Sequence, residues 1–230
     1  MKNRHRSYLF FLVMGLCLRI IPVHAYKVGR PPELNGLDKD IRQVVYVSVD
    51  GSASVKARVD FWEKLSEDAS SSWRLVNDFP IQAVIGKNGL APEGEKREGD
   101  GRTPSGVFAL RRAFGYDETV ETGLIYRRVT ERDFWIDDPA SAQYNQWVAG
   151  DVPAVSHEAL RRGDDLYKYA VVIEYNTDPV VPGLGSAIFM HVWRGAGQPT
   201  AGCVAMAEAD LLRFLRWLDI RRNPVIIFSN

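Results

Sequence analysis

Cysteine and histidine are scarce in this chain: two and four, respectively, among 230 residues. Net charge is absent too, since 29 basic residues balance 29 acidic ones. The shortage of thiols and imidazoles leaves no pair at metal-ligand spacing, so a metal site is not expected. Balanced charge gives no electrostatic footprint for nucleic acid. Internal repeats and low-complexity tracts are also missing. "GEKREGDGRTPSG" lacks the Gly-Lys-Ser/Thr ending of a phosphate-binding loop, and "GLGSA" around Ser186 is not the Gly-x-Ser-x-Gly elbow of a serine hydrolase. No cofactor is expected.

What is present begins with residues 1–25, "MKNRHRSYLFFLVMGLCLRIIPVHA". A basic start, an apolar run from Tyr8 to Leu18 and the Val23-His24-Ala25 end read as a signal peptide for export. The run is short for a bilayer span and is followed by Arg19, so no membrane span is expected after cleavage. Residues 26–42 form a lead segment, and 43–230 are long enough for one domain with its own core. Removing the leader takes away Lys2, Arg4, Arg6 and Arg19, which leaves a small acidic excess. It also removes Cys17, His5 and His24 and leaves one thiol, Cys203, with His157 and His191. An idle exposed thiol is a liability in an oxidising compartment, so Cys203 is either buried and inert or kept for chemistry.

Most of the chain reads as short strands. "QVVYVSV" at Gln43–Val49 is one, and "WRLVNDFPIQAVIG" is one or two with Pro80 at a break. Others are expected at Val107–Leu110, Leu124–Val129, Phe134–Ile136, Tyr169–Tyr175, Ala187–Val192 and in the final "PVIIF". Val55, Val59, Trp62 and Leu65 recur at helical spacing and predict a helix. A second helix is predicted where Leu211, Leu212, Leu215 and Leu218 share a face, with Glu208 and Asp210 in its first turn. Between them, residues 87–106 are rich in glycine, proline and charge, a long loop of the kind that is often functional. The fold class is mainly β, a β-rich α+β domain with helices packed against the strands.

A cysteine becomes a nucleophile when something lowers its pKa or takes its proton. Cys203 lies about one turn before the predicted C-terminal helix, and His191 ends a strand twelve positions earlier. Gly202 permits close backbone approach, so the N–H groups of Gly202 and Cys203 are candidate oxyanion donors. The competing reading is that Cys203 packs under the helix as a small hydrophobe, and pattern alone does not separate the two. "HVWRGAGQPTAGC" is polar and glycine-rich, which suits a site wall better than a core. The adjacent acids Asp137 and Asp138 point to opposite strand faces, so at most one faces a cleft. Core packing is the preferred reading of Tyr126, Trp135, Tyr144 and Trp147.

Four segments, "AVIGKNGLAPEGEKREGDGRTPSGVF", "FWIDDPASAQYN", "GSAIFMHVWRGAGQPTAGCVAM" and the helix after them, together resemble the YkuD-type L,D-transpeptidase catalytic domain of bacterial cell-wall enzymes. The most specific part is an ordered set: a Gly-Arg-Thr-Pro-Ser-Gly turn, a strand-end histidine and a Thr-x-Gly-Cys segment. The resemblance implies a nucleophile at Cys203, its base at His191, and oxyanion donors at Gly202 and Cys203. The implied substrate is the peptidoglycan stem peptide, met in the periplasm or cell envelope. Transfer to an amine would make an L,D-transpeptidase, and transfer to water an L,D-carboxypeptidase. A cell-wall binding domain that kept the fold would have no need of the Cys203–His191 pair.

The chain departs from the common family pattern at Ala201, where many members carry histidine, and at Ala205, where a polar residue, often arginine, stands. The substrate carboxylate must then be held from elsewhere. Arg194 and Arg102 are the candidates, since arginine clamps carboxylates bidentately. Thr200, Trp193, Tyr144 and Asn145 complete the expected substrate contacts.

Overall fold

The computed structural model describes residues 29–66, 72–152 and 156–229. The expected signal peptide lies outside them. Thirteen strands follow in order: β1 (Gln43–Val49), β2 (Lys56–Lys64), β3 (Trp73–Leu75), β4 (Ile81–Val84), β5 (Gly106–Gly115), β6 (Ile125–Arg128), β7 (Asp133–Ile136), β8 (Trp147–Ala149), β9 (His157–Ala159), β10 (Tyr169–Ile173), β11 (Phe189–Val192), β12 (Val204–Met206) and β13 (Val225–Ser229). Among the described residues one α-helix, α1 (Glu208–Trp217), sits between β12 and β13. The class is mainly β, as the strand-rich pattern predicts.

The large sheet runs β1-β13-β5-β10-β11-β12-β4-β2-β3, and β1 also pairs with β2, so eight of these strands form a hydrogen-bonded path that closes on itself. Several of its strands are buried on both faces, and alternation sends successive side chains to different clusters. Val45, Val47 and Val49 of β1, Val171 and Ile173 of β10, Met190 and Val192 of β11, and Val204 and Met206 of β12 all enter one apolar cluster. The residues between them face the other way: Ala170, Val172, Phe189 and Cys203 belong to a second cluster with Phe114, Trp135 and Leu160. That outer face is covered by a smaller sheet of order β8-β7-β9. A third cluster joins Leu34, Val44, Tyr46, Trp62 and Trp73, which packs the lead residues onto β1 and β2.

The helix predicted around Val55–Leu65 is instead the nine-residue strand β2. Val59 and Phe61 turn to the main cluster, while Trp62 turns to the third one. That is a two-residue period, which the wider Val55–Val59–Trp62–Leu65 spacing obscures. Seven register pairs to β1 and four to β4 fix it as a strand. The predicted C-terminal helix is present, but its buried face is Leu211, Phe214 and Leu215, closed by Leu218, with Leu212 at the margin. Phe61 meets this helix, with ring centroids 5.2 Å from Phe214 and 5.1 Å from Trp217.

Candidate active site

The parallel pair β11–β12 places the site. Register pairs Met190 with Val204 and His191 with Ala205. Met190 and Val204 point into the main cluster, so alternation turns Phe189, His191, Cys203 and Ala205 to the outer face. Cys203 and His191 are brought together there by sheet register, each buried, at 8% and 6% exposure.

The segment in front of Cys203 is tied down by two threonines. Thr103, fully buried in the Gly-Arg-Thr-Pro-Ser-Gly turn, donates its hydroxyl to the Gly202 carbonyl at 2.7 Å and accepts the Gly86 N–H at 2.9 Å. Thr200 donates to the Cys203 carbonyl at 2.6 Å and accepts the Gly202 N–H at 3.1 Å. Gly202 is required by the closeness of this turn, because a Cβ there would stand 2.9 Å from the Arg102 carbonyl oxygen. The turn is in turn held by Asp100, which accepts the backbone N–H groups of Arg97 and Arg102 and the buried Lys96 ammonium, each at 2.8 Å.

The Cys203 thiol donates to the Ala187 carbonyl at 3.3 Å and accepts the Phe189 N–H at 3.4 Å. Its pKa is pushed up to about 12, chiefly by burial and next by the Glu158 charge. The sequence expectation that a helix N-terminus lowers it fails on geometry: β12 and Ala207 separate Cys203 from α1. His191 is pushed down to about 4, mainly by burial of its ring, with Arg162 and Arg194 adding to the effect against a backbone hydrogen bond to Val192. That bond joins Nδ1 to the Val192 carbonyl oxygen at 2.7 Å. A carbonyl only accepts, so Nδ1 carries the proton of the neutral ring and Nε2 keeps its lone pair. The Tyr167 ring meets the imidazole edge-on at 5.2 Å and fixes its plane.

Two cavities meet at Cys203. The first, of about 100 Å³, is lined by Cys203 and His191 with Glu158, Arg162, Tyr167, Arg194 and Thr200 among others. Ala201 and Ala205 also line it. The two positions that depart from the family pattern therefore leave room in the wall, and the cations there come from Arg162 and Arg194. Arg162 is already forked onto Asp164 at 2.8 and 3.0 Å. Arg194 is exposed and has no ion pair among the described residues. The second cavity, of about 150 Å³, shares Cys203, Ala201 and Glu158 and is walled by Lys87, Lys96, Glu98, Asp137 and Ser186.

Of the other expected contacts, Thr200 acts on the Cys203 loop and reaches the first cavity. Trp193 instead lines a separate cavity with Lys56, Gln82 and Gly197. Tyr144 is buried and donates to Glu98 at 2.5 Å while accepting the Gly185 N–H at 3.0 Å. Asn145 is buried at a left-handed φ of 55°. Its amide takes the Trp135 indole and the Ala187 N–H and gives to Tyr175 and Asn176. Both therefore shape the Ser186–Ala187 wall behind Cys203 rather than lining either cavity. Arg102 contributes its backbone to the turn, and its side chain lines neither cavity. Of the paired acids, Asp137 faces the second cavity, while Asp138 accepts the Ala140 N–H.

Sequence reading missed Glu158, Arg162, Tyr167, Lys87 and Lys96. Glu158 lies on a three-residue strand, too short to carry a period, and nothing in "SHEALRRGDD" marks it. Lys96 sits in the long charged loop at 87–106, but only the fold reveals that its ammonium is buried.

Among the described residues, no helix is long and apolar enough to cross a membrane. No curated protein and no solved structure matches the chain. The family model of the L,D-transpeptidase catalytic domain, YkuD, matches residues 68–227, more than two thirds of the chain. Members of that family are cysteine-dependent enzymes of the bacterial cell wall that act on peptidoglycan peptides. With a closed β-rich fold and the Thr-x-Gly-Cys segment beside a strand histidine, the chain belongs to the YkuD L,D-transpeptidase catalytic domain family.

Proposed function

We propose that the chain is an exported peptidoglycan L,D-transpeptidase of the periplasm or cell envelope, with residues 1–25 as its signal peptide and the catalytic domain running from Gln43. Cys203 is the nucleophile and His191 its base. The observation that carries this reading is the shared cavity: both side chains line it, and Nδ1 of His191 is committed to Val192, which leaves Nε2 to take a proton.

Attack by Cys203 Sγ on the carbonyl at the L-side of an L,D peptide bond transfers the thiol proton to His191 Nε2. The oxyanion is met by the N–H of Cys203 and by that of Gly202, which exchanges its Thr200 acceptor for the new charge. Collapse returns the proton from His191 to the departing amine of the D-residue and leaves a thioester. An amine of a second stem then resolves it. With the thiol held near 12 and the imidazole near 4, the resting pair is neutral. The proton therefore moves as the Sγ–carbon bond forms, which is general-base catalysis and not attack by a preformed thiolate. Arg194 holds the donor carboxylate at the mouth of the first cavity.

The test is incubation of the mature protein with purified muropeptides and mass spectrometry of the products. Cross-linked dimers from wild type and none from Cys203→Ala are expected. Shortened monomers alone would make the chain a carboxypeptidase, and equal products from both proteins would end the catalytic reading.

A further inference from the structure

The resolving amine presents a chemical problem that Cys203 and His191 leave unsolved. An alkylammonium with a pKa of about 10 is almost wholly protonated at neutral pH and has no lone pair with which to attack. It must lose one proton before attack and a second as the tetrahedral intermediate forms. His191, neutral again once acylation is complete, can take only one of these.

Glu158 stands where the other proton would go. It lines both cavities that meet at Cys203. Its Oε2 accepts the Tyr167 hydroxyl at 2.7 Å, and Arg162 lies 4.0 Å from Oε1. A third of its side-chain surface, 33%, is still exposed. Asp137 shares the second cavity, and its Oδ1 is buried with no hydrogen-bond donor among the described residues. A buried acceptor without a donor, beside a second carboxyl, fits a ligand that brings N–H groups and positive charge.

Resting on the transpeptidase reading above, we propose that Glu158 binds the ammonium of the acceptor from the second cavity and removes its first proton, with Asp137 holding the remaining N–H. The steps balance. The ammonium gives one proton to the Glu158 carboxylate, which releases it to solvent. The free amine attacks the thioester carbonyl, and its second proton passes to His191 Nε2. As the carbon–sulfur bond breaks, His191 returns that proton to Cys203 Sγ, leaving an amide and a thiol.

Charge in the surroundings suits this role. Burial raises the Glu158 carboxyl above its usual range, with Asp137 and Glu98 adding to the effect and Tyr167 and Arg162 opposing it, so it is a stronger base than a surface glutamate. Lys87 and Lys96 face the same cavity, and His191, Arg194 and Cys203 face Glu158 from the other. The Lys96 ammonium is taken up by Asp100 and the Arg97 carbonyl. A bound ammonium also offsets the Glu158 charge, which is one of the causes that raise the Cys203 thiol.

The experiment compares wild type with Glu158→Gln on purified muropeptide donors, with either a D-amino acid or hydroxylamine as acceptor. Hydroxylamine is a much weaker base and largely neutral at pH 7, so it needs no first deprotonation. Formation of the Cys203 acyl-enzyme should change far less than transfer does. Transfer to the D-amino acid at pH 7 should fall about 100-fold, recover as pH is raised toward 10, and stay near wild type with hydroxylamine. An equal loss with both acceptors, a matching loss in acyl-enzyme formation, or no loss would each overturn the role of Glu158. Absence of any acyl-enzyme in the wild-type protein would instead remove the transpeptidase reading itself.

Discussion

The two cavities that meet at Cys203 share that residue, Ala201 and Glu158, yet their other walls differ in kind. The first carries the one described histidine beside Cys203 and an exposed arginine with no ion pair among the described residues. In the second, two charged side chains are already engaged: Lys96 with Asp100, and Glu98 with the Tyr144 and Ser186 hydroxyls at 2.5 and 2.6 Å. A wall with free capacity can bind and move protons, whereas a wall with satisfied partners mainly holds shape. On the second side Asp137 Oδ1 has no hydrogen-bond donor among the described residues, and for that reason it is informative.

His191→Gln tests the first wall hardest. If His191 is the base, its loss should lower donor turnover about 1000-fold, read as muropeptide product per unit time. The same variant has a second readout in stability against pH. The folded-state pKa of His191, about 4, lies below its ordinary 6.5. Below 6.5 the unfolded chain takes up a proton that the folded one refuses. The contribution is therefore fully present above 6.5 and is lost as pH falls toward 4, at a cost of about 3 kcal/mol. Urea denaturation at pH 7 and pH 4 should show this loss in wild type and not in His191→Gln. Parallel curves for the two proteins would mean that the ring is not held neutral.

Thr103→Val tests the support behind the second cavity, where Thr103 holds the lining residue Gly202. It removes the acceptor of the Gly86 N–H and the donor to the Gly202 carbonyl at a fully buried position. A loss of about 2 kcal/mol in denaturant stability is expected, together with slower acylation, because Cys203 follows directly on Gly202. Stability lost with acylation unchanged would show that the turn supports the fold without positioning Cys203.

How much of this was legible in the sequence depended on whether the signal was local. Strands such as Gln43–Val49 and Tyr169–Ile173 declare themselves through β-branched runs, and scarcity and motif mark Cys203 and His191 as candidates. The strand at Lys56–Lys64 did not, because its apolar residues serve two different clusters and their spacing mimics a helical stripe. The thiol's environment was misjudged for a related reason. A three-residue strand, Val204–Met206, and Ala207 stand between Cys203 and the helix, and the apolar "VAM" reads equally well as a helix start. Glu158, Tyr167 and Lys96 take their meaning only from cavities assembled across distant segments, which no local pattern encodes.

The smallest expected effect belongs to Arg194, and it separates the two walls most cleanly. Arg194 is exposed, so Arg194→Ala should leave stability within about 0.5 kcal/mol of wild type. If its guanidinium holds the donor carboxylate, KM for the donor rises about tenfold, the share expected of a charge-assisted hydrogen bond weakened by solvent. Turnover at saturating donor should change little, since uniform binding is what is lost. Arg194→Lys should recover only part of the affinity, because an ammonium cannot reproduce the two-pronged contact. An unchanged KM in Arg194→Ala would move the carboxylate contact elsewhere. Arg162 is a poor substitute with both prongs already on Asp164, and Lys96 is paired with Asp100, which would leave Lys87 as the available cation and place the donor in the second cavity. The acceptor would then have to enter past His191, and the acceptor-selective loss expected for Glu158→Gln would turn into a loss of donor binding.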